Sequence, residues 1–215
     1  IKSSAASDVY KRQIWNDMGD QKRMDNQRDQ IILYSPQSDA VIDAIQKDGV
    51  CYSKPEYIRA KYVESAPIFL TAYQWFVQQA EKLVKKPEGA QLPYWAVAQR
   101  SAVDVTGGGT LLTLRVPIEQ AVYFDLYDWN KILQLRFLTD DPKEERKFVQ
   151  ELSLRGLDCY KVMMSDFYPE EKQKILQSWE RLFLHHDRIK QGDDSGVGIV
   201  QAGLWCIRKE WIVLE

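Results

Sequence analysis

Apolar and polar positions change period several times along the chain, and each change marks an element. Residues 31–34, Ile-Ile-Leu-Tyr, are a short run of β-formers and read as a strand. Ser35-Pro36-Gln37-Ser38-Asp39 then supplies cap chemistry for a helix running to Gly49, with Val41, Ile42 and Ile45 on its apolar side. Gly49 is the expected left-handed stop, Val50-Cys51-Tyr52 returns as a second short strand, and Pro55 starts a brief helix. Pro67 opens the most apolar helix. Phe69, Ala72, Tyr73, Phe76, Ala80, Leu83 and Val84 cover over half of its wheel, while Thr71, Gln74, Gln78, Glu81 and Lys82 form a compact polar strip. Such a helix must be covered on several sides. Trp75 falls at the border of the strip, a place open to core packing or to the wall of a groove.

After a loop at residues 85–89, residues 94–99 read as an aromatic-rich strand, and Gly107-Gly108-Gly109 interrupts. Residues 110–116 are β-rich, residues 117–120 turn, and residues 121–124 are extended again until Asp125 caps a helix. That helix sets Leu126, Trp129, Leu133 and Phe137 on one face. Asp140-Asp141-Pro142 begins another, ending at Gly156. Tyr168-Pro169 opens a third, with Ile175, Leu176, Trp179, Leu182 and Phe183 turned inward. Residues 197–207 and 211–214 read as closing strands. Strands at both ends around a helical middle predict an α+β fold, a single compact domain over residues 31–215 with a small mixed or antiparallel sheet and a central helical block.

Composition narrows the partners. The chain has 215 residues, 29 basic and 31 acidic, and its net charge of −2 lacks the broad positive field of a dedicated nucleic-acid binder. Cys51, Cys159 and Cys206 are too scattered for a disulfide framework or a C-x-x-C pair, so reduced thiols are expected. No apolar stretch approaches the roughly 20 residues of a membrane span, and the N-terminus lacks the apolar core of a signal peptide; together these predict a cytoplasmic protein. Residues 1–30 are set apart as a tail. Within it, Asp8-Val9-Tyr10-Lys11-Arg12-Gln13 resembles a translated sequencing-library adaptor of the kind carried into metagenomic assemblies, residues 1–13 are set aside with it, and Met18 and Met24 are both candidate natural starts.

Most candidate chemistry has a plainer explanation. The three glycines lack the Lys and Ser/Thr of a phosphate loop and the following helix of a dinucleotide fingerprint, so they read as a connector. His185 and His186 are adjacent, their rings diverge, and no shared metal is expected; a solvated helix end is the expectation. Asp125 and Asp128 stand at a helix start and read as cap and dipole partners before they read as an acid/base pair. A different constellation remains: Tyr34 with Gln37, Trp95 with Gln99, and Gln201 with Trp205, all near strand ends. Planar faces beside amide donors and acceptors suit stacking on, and reading of, a nucleotide-like ring. Core packing accounts for the tryptophans equally well.

Leu33-Tyr34-Ser35-Pro36-Gln37, Gly49, the run from Phe69 to Trp75, Pro93-Tyr94-Trp95-Ala96, Leu114-Arg115-Val116-Pro117, Trp179-Glu180-Arg181-Leu182-Phe183 and Gln201-Ala202-Gly203-Leu204-Trp205 together resemble the bacterial family of domain of unknown function 3841, over about residues 31–215. That resemblance carries no catalytic residue. In the order of its elements the chain is also similar to compact ADP-ribosyltransferase-like folds that bind NAD. The similarity implies NAD as a candidate ligand, with Tyr34 near the place of a first-strand Arg or His and Gln201 near that of a late Glu. A neutral Gln does not steady developing positive charge as a carboxylate does. Two functional expectations follow. In one, a cleft lined by Tyr34, Gln37, Trp95, Gln99 and Gln201 binds a nucleotide-like ligand, as in a divergent NAD-using transferase. In the other, the chain is a non-catalytic protein-interaction domain with Trp75, Trp95 or Trp129 in an exposed apolar patch.

Overall fold

The computed structural model describes residues 29–213 apart from Gly107; the adaptor-like segment and both candidate start methionines lie outside the described residues. In chain order the elements are β1 (Gln30–Gln37), α1 (Asp39–Asp48), β2 (Val50–Cys51), α2 (Pro55–Tyr62), α3 (Ala66–Ala80), β3 (Tyr94–Val97), β4 (Thr110–Pro117), β5 (Ala121–Asp125), α4 (Leu126–Leu133), α5 (Pro142–Leu154), α6 (Cys159–Met163), α7 (Pro169–Trp179), α8 (His186–Lys190), β6 (Val200–Leu204) and β7 (Ile207–Arg208). Five strands make one antiparallel sheet in the order β4-β1-β3-β6-β5, and β2 pairs with β7 in a separate ladder. The described residues form an α+β domain.

Strand alternation sorts the side chains into two cores. Leu33, Tyr94, Ala96, Leu112, Leu114, Ala121, Tyr123, Ala202 and Leu204 point to one face, where they bury Ile45 of α1, Ile189 of α8 and Cys51 and Ile207 of the small ladder. Trp95, Val122 and Phe124 point to the other, against Ala72, Tyr73 and Phe76 of α3 and Trp129 and Ile132 of α4. Trp179 and Leu182 extend that second core outward. The helical layer covers the second face over β3, β6 and β5. Towards β1 and β4 the cover runs out, and Ile32 and Arg115 there are exposed.

Several expectations are corrected. β1 does not stop at Tyr34 but runs through Pro36 to Gln37, paired with β4 along its whole length, and the Ser38 side chain makes no cap bond. α3 ends at Ala80. Of the two places open to Trp75 it takes the core, edge-to-face with Trp179 at 5.3 Å. Leu135 takes a φ of +56°, so the chain leaves α4 and Phe137 packs on Phe148 with ring centroids 4.4 Å apart. α6 carried too short a period to be read, although Asp158 caps it by accepting from the Lys161 N–H. Trp211, expected to open a closing strand, ends a 3-10 turn over Lys209–Trp211; beyond it Ile212 makes a lone bridge to Leu114, and Leu214 lies outside the described residues. His186 is not solvated: it is 3% exposed, and its Nδ1 accepts the Tyr123 N–H at 3.1 Å. The reason is positional. β5 is an edge strand, its outward N–H needs an acceptor, and α8 brings one.

Candidate functional site

The register of the sheet builds the site. Tyr34 of β1 pairs with Val97 of β3, and Val97 pairs with Gln201 of β6, so the three share a row across three strands and one face. Trp95 stands two residues from Val97 on that same face, opposite Gly203. Gly203 matters because a Cβ there would lie 2.8 Å from the Phe76 ring and 3.3 Å from the Trp95 ring; its missing side chain lets both rings settle on the sheet. Pro36 brings no N–H to a ladder. The Trp95 carbonyl takes its hydrogen bond from the Ser35 hydroxyl at 2.6 Å, and the Gln37 side-chain amide donates to the same hydroxyl at 2.8 Å.

Above this row, at the margin of the helical cover, lies a cavity of about 500 Å³, within the range of roughly 300–1,000 Å³ common for small-molecule sites. Tyr34, Gln37, Trp95 and Gln201 all line it. Gln99 does not: it follows β3 past the cavity, and its Oε1 is buried without a partner elsewhere. Trp205, paired with Gln201 in the sequence, is also away from the cavity, donating its Nε1–H to the Val84 carbonyl at 2.9 Å. The sequence reading missed Tyr62, Tyr73, Ser53, Asp104 and Asn130, which also line it. Tyr73 was assigned to the apolar face of its helix, and the signal overlooked was its phenol, which a buried tyrosine seldom leaves without a partner.

The polar groups are specific. Trp95 Nε1–H donates to the Tyr73 hydroxyl at 2.6 Å, and the two rings meet edge-on at 5.2 Å. Burial pushes the Tyr73 phenol well above its usual range, so it stays neutral and protonated. Gln201 is 6% exposed, and its Oε1 is buried with no hydrogen-bond partner. A buried acceptor left unpaired costs about 1–3 kcal/mol. Asp104 lines the outer part, where its carboxylate accepts from the Thr106 N–H at 2.9 Å and the Thr106 hydroxyl at 2.6 Å. Among the described residues, no Lys, Arg or His lines the cavity. Aromatic rings and side-chain amides therefore stand together around one hollow.

A second hollow, also of about 500 Å³, lies on the outer helices between α5 and α7. It is lined by Glu144, Lys147, Glu151, Lys174 and Arg181 around the Phe137 and Phe148 rings, and Arg181 is already paired with Asp140. Its lining is dominated by mutually compensating charges, so the cavity over the sheet is the better-built site. Among the described residues no helix is long and apolar enough to cross a membrane.

Neither a curated protein nor a solved structure matches the chain. A family model described as Domain of unknown function (DUF3841) matches residues 32–213, a stretch that contains every residue lining the cavity. By that match, the chain belongs to the DUF3841 family.

Proposed function

We propose that the domain binds the planar ring of a nucleotide-like ligand in the cavity over β1, β3 and β6, with NAD among the candidates. The observation that carries this is that Tyr34, Tyr73 and Trp95 line one cavity of about 500 Å³ together with the amides of Gln37, Asn130 and the buried Gln201. A core glutamine with no role gains nothing from such a position. The alternative, an interaction domain presenting Trp75, Trp95 or Trp129 on an apolar patch, finds less support, because Trp75 and Trp129 are buried in the core and Trp95 is held by Tyr73.

A divergent ADP-ribosyltransferase-like use of NAD is the catalytic extension. It calls for a carboxylate near the ribose; Gln201 supplies none, and Asp104 is the carboxylate among the lining residues.

Thermal unfolding with NAD, ATP, adenosine and nicotinamide tests the proposal. A ligand at about 100 times its Kd stabilises by roughly 2.7 kcal/mol. Ala102→Phe, which fills the half-buried rim of the cavity, is expected to abolish that shift and leave the unliganded midpoint nearly unchanged. Nicotinamide release from NAD in the same samples, lost in Asp104→Asn, reads the catalytic extension. No shift with any ring compound overturns ring binding.

A further inference from the structure

We propose that α2 is a hinged lid over the cavity, held closed against backbone strain at Val63 and released from α3 by turning about that residue. The inference concerns access to the cavity and stands whatever ligand the cavity takes.

The position of α2 suits a lid. It reaches the cavity through Ile58 and Tyr62, and Ser53, just before it, lines the cavity as well. Its anchorage is light: none of its described side chains is buried, whereas α3 beside it buries Ala72, Tyr73, Trp75 and Phe76. Ile58 and Tyr62 are half-buried, and the Tyr62 ring stacks on Phe69 of α3 with centroids 3.8 Å apart. An eight-residue helix is too short to persist alone in water, so lifting it from α3 also melts it.

The hinge carries strain. Val63 closes α2 and begins a 3-10 turn, Val63–Ser65, that leads straight into α3. Its φ of +44° and ψ of −107° lie where a β-branched side chain is an outlier. That side chain is 71% exposed, so its own packing does not explain the conformation. The Val63 N–H bonds to the Arg59 carbonyl, and the stack of Tyr62 fixes the residue before it. Strain of this kind is worth roughly a fivefold to hundredfold factor in an equilibrium and persists only where the surroundings impose it. Tyr62 and Val63 therefore oppose each other: the stack draws α2 down on α3, and the adjoining backbone gains by letting go. Closed and open states set against each other in this way lie close in free energy. A molecule in the cavity meets Ile58 and Tyr62 in the closed state and loses them in the open one, so it favours closure.

Hydrogen exchange of the full chain, read by mass spectrometry, tests the lid without a ligand. The amides of α2 are expected to exchange at least about tenfold faster than those of α3. Val63→Gly relieves the strain and should slow α2 exchange by at least about threefold, after the freedom a glycine adds to the open state is allowed for. Tyr62→Ala removes the stack and should quicken α2 exchange by at least about threefold while α3 is unchanged. A short helix that merely frays gives the opposite sign for Val63→Gly, because glycine only loosens it. Trypsin cleavage after Arg59, exposed on α2, should follow the same order, slowest in Val63→Gly and fastest in Tyr62→Ala. Protection of α2 equal to that of α3, or exchange in Val63→Gly as fast as in the wild type or faster, overturns the lid and leaves ring binding standing. Failure of ring compounds to bind overturns ring binding and leaves the lid standing.

Discussion

A buried imidazole set against the edge strand β5 shows how much a single residue can depend on its neighbours. His186 accepts the Tyr123 N–H through Nδ1, with its ring stacked on Tyr123 at 5.8 Å, and burial holds its pKa below the ordinary imidazole value. Asp187 and Glu119 pull the other way and Lys190 adds to the depression, but desolvation is the largest influence. The unfolded chain protonates the same ring near pH 6.5. The contribution of His186 to stability is therefore fully present above about pH 6.5 and is lost as the pH falls through the lower, folded value. Urea unfolding at about pH 7.5 and about pH 5.5 is expected to show a larger loss in the wild type than in His186→Gln, whose amide still accepts a hydrogen bond but does not titrate. Equal losses in both proteins refute the assignment. From the sequence this pair of histidines looked like a solvated helix end, since nothing local reveals that an edge-strand N–H sits opposite. Gln201 makes the same point from the other side: its amide chemistry was legible at once, and its lack of a partner was not.

Elements were most legible where punctuation and period agreed. Gly49, in a left-handed conformation at φ +76°, ends α1 as its position promised, and Asp125 caps α4 by accepting the Tyr127 N–H at 2.8 Å. The same carboxylate also accepts the Gly198 N–H at 2.6 Å, tying the loop before β6 to the start of α4, a long-range bond no local rule announces. Where propensity and tertiary pairing disagreed, pairing won. Pro36 was read within the cap segment of the following helix, yet β4 pairs alongside it and carries the strand on to Gln37. Gly203 offers a test at this scale. Its place opposite Trp95 leaves no room for a methyl group, with Phe76 at 2.8 Å and Trp95 at 3.3 Å from a Cβ built there. Gly203→Ala is expected to cost about 1–3 kcal/mol by overpacking. Because the ring displaced is a wall of the cavity, ligand titration should weaken with it, and unchanged affinity in a folded variant would show that Trp95 has not moved.

Across the molecule, two cores on opposite faces of one sheet place the cavity where the larger one stops. Phe76 is fully buried at the centre of that core, edge-on to Trp95 at 4.9 Å and to Phe124 and Trp129 at 5.3 Å. Phe76→Ala should lower unfolding stability by about 3–5 kcal/mol, whereas Leu184→Ala, at an exposed position, should change it by about 0.5 kcal/mol or less. Chemical denaturation distinguishes these outcomes directly. Local order was determined by the sequence alone: which segments alternate, which repeat with helical period, where Gly, Pro and Asp end them, and which side chains can stack or hydrogen-bond a ring. Those properties depend on neighbours a few bonds away. Only the tertiary structure decided that Tyr34, Trp95 and Gln201 meet on one face while Gln99 and Trp205 turn away, and that Tyr73 faces them from a helix. Strand register and the limit of helical cover depend on pairings between segments far apart in the chain, such as Tyr34 with Val97 and Val97 with Gln201, and a periodic pattern carries no record of which strand lies beside which.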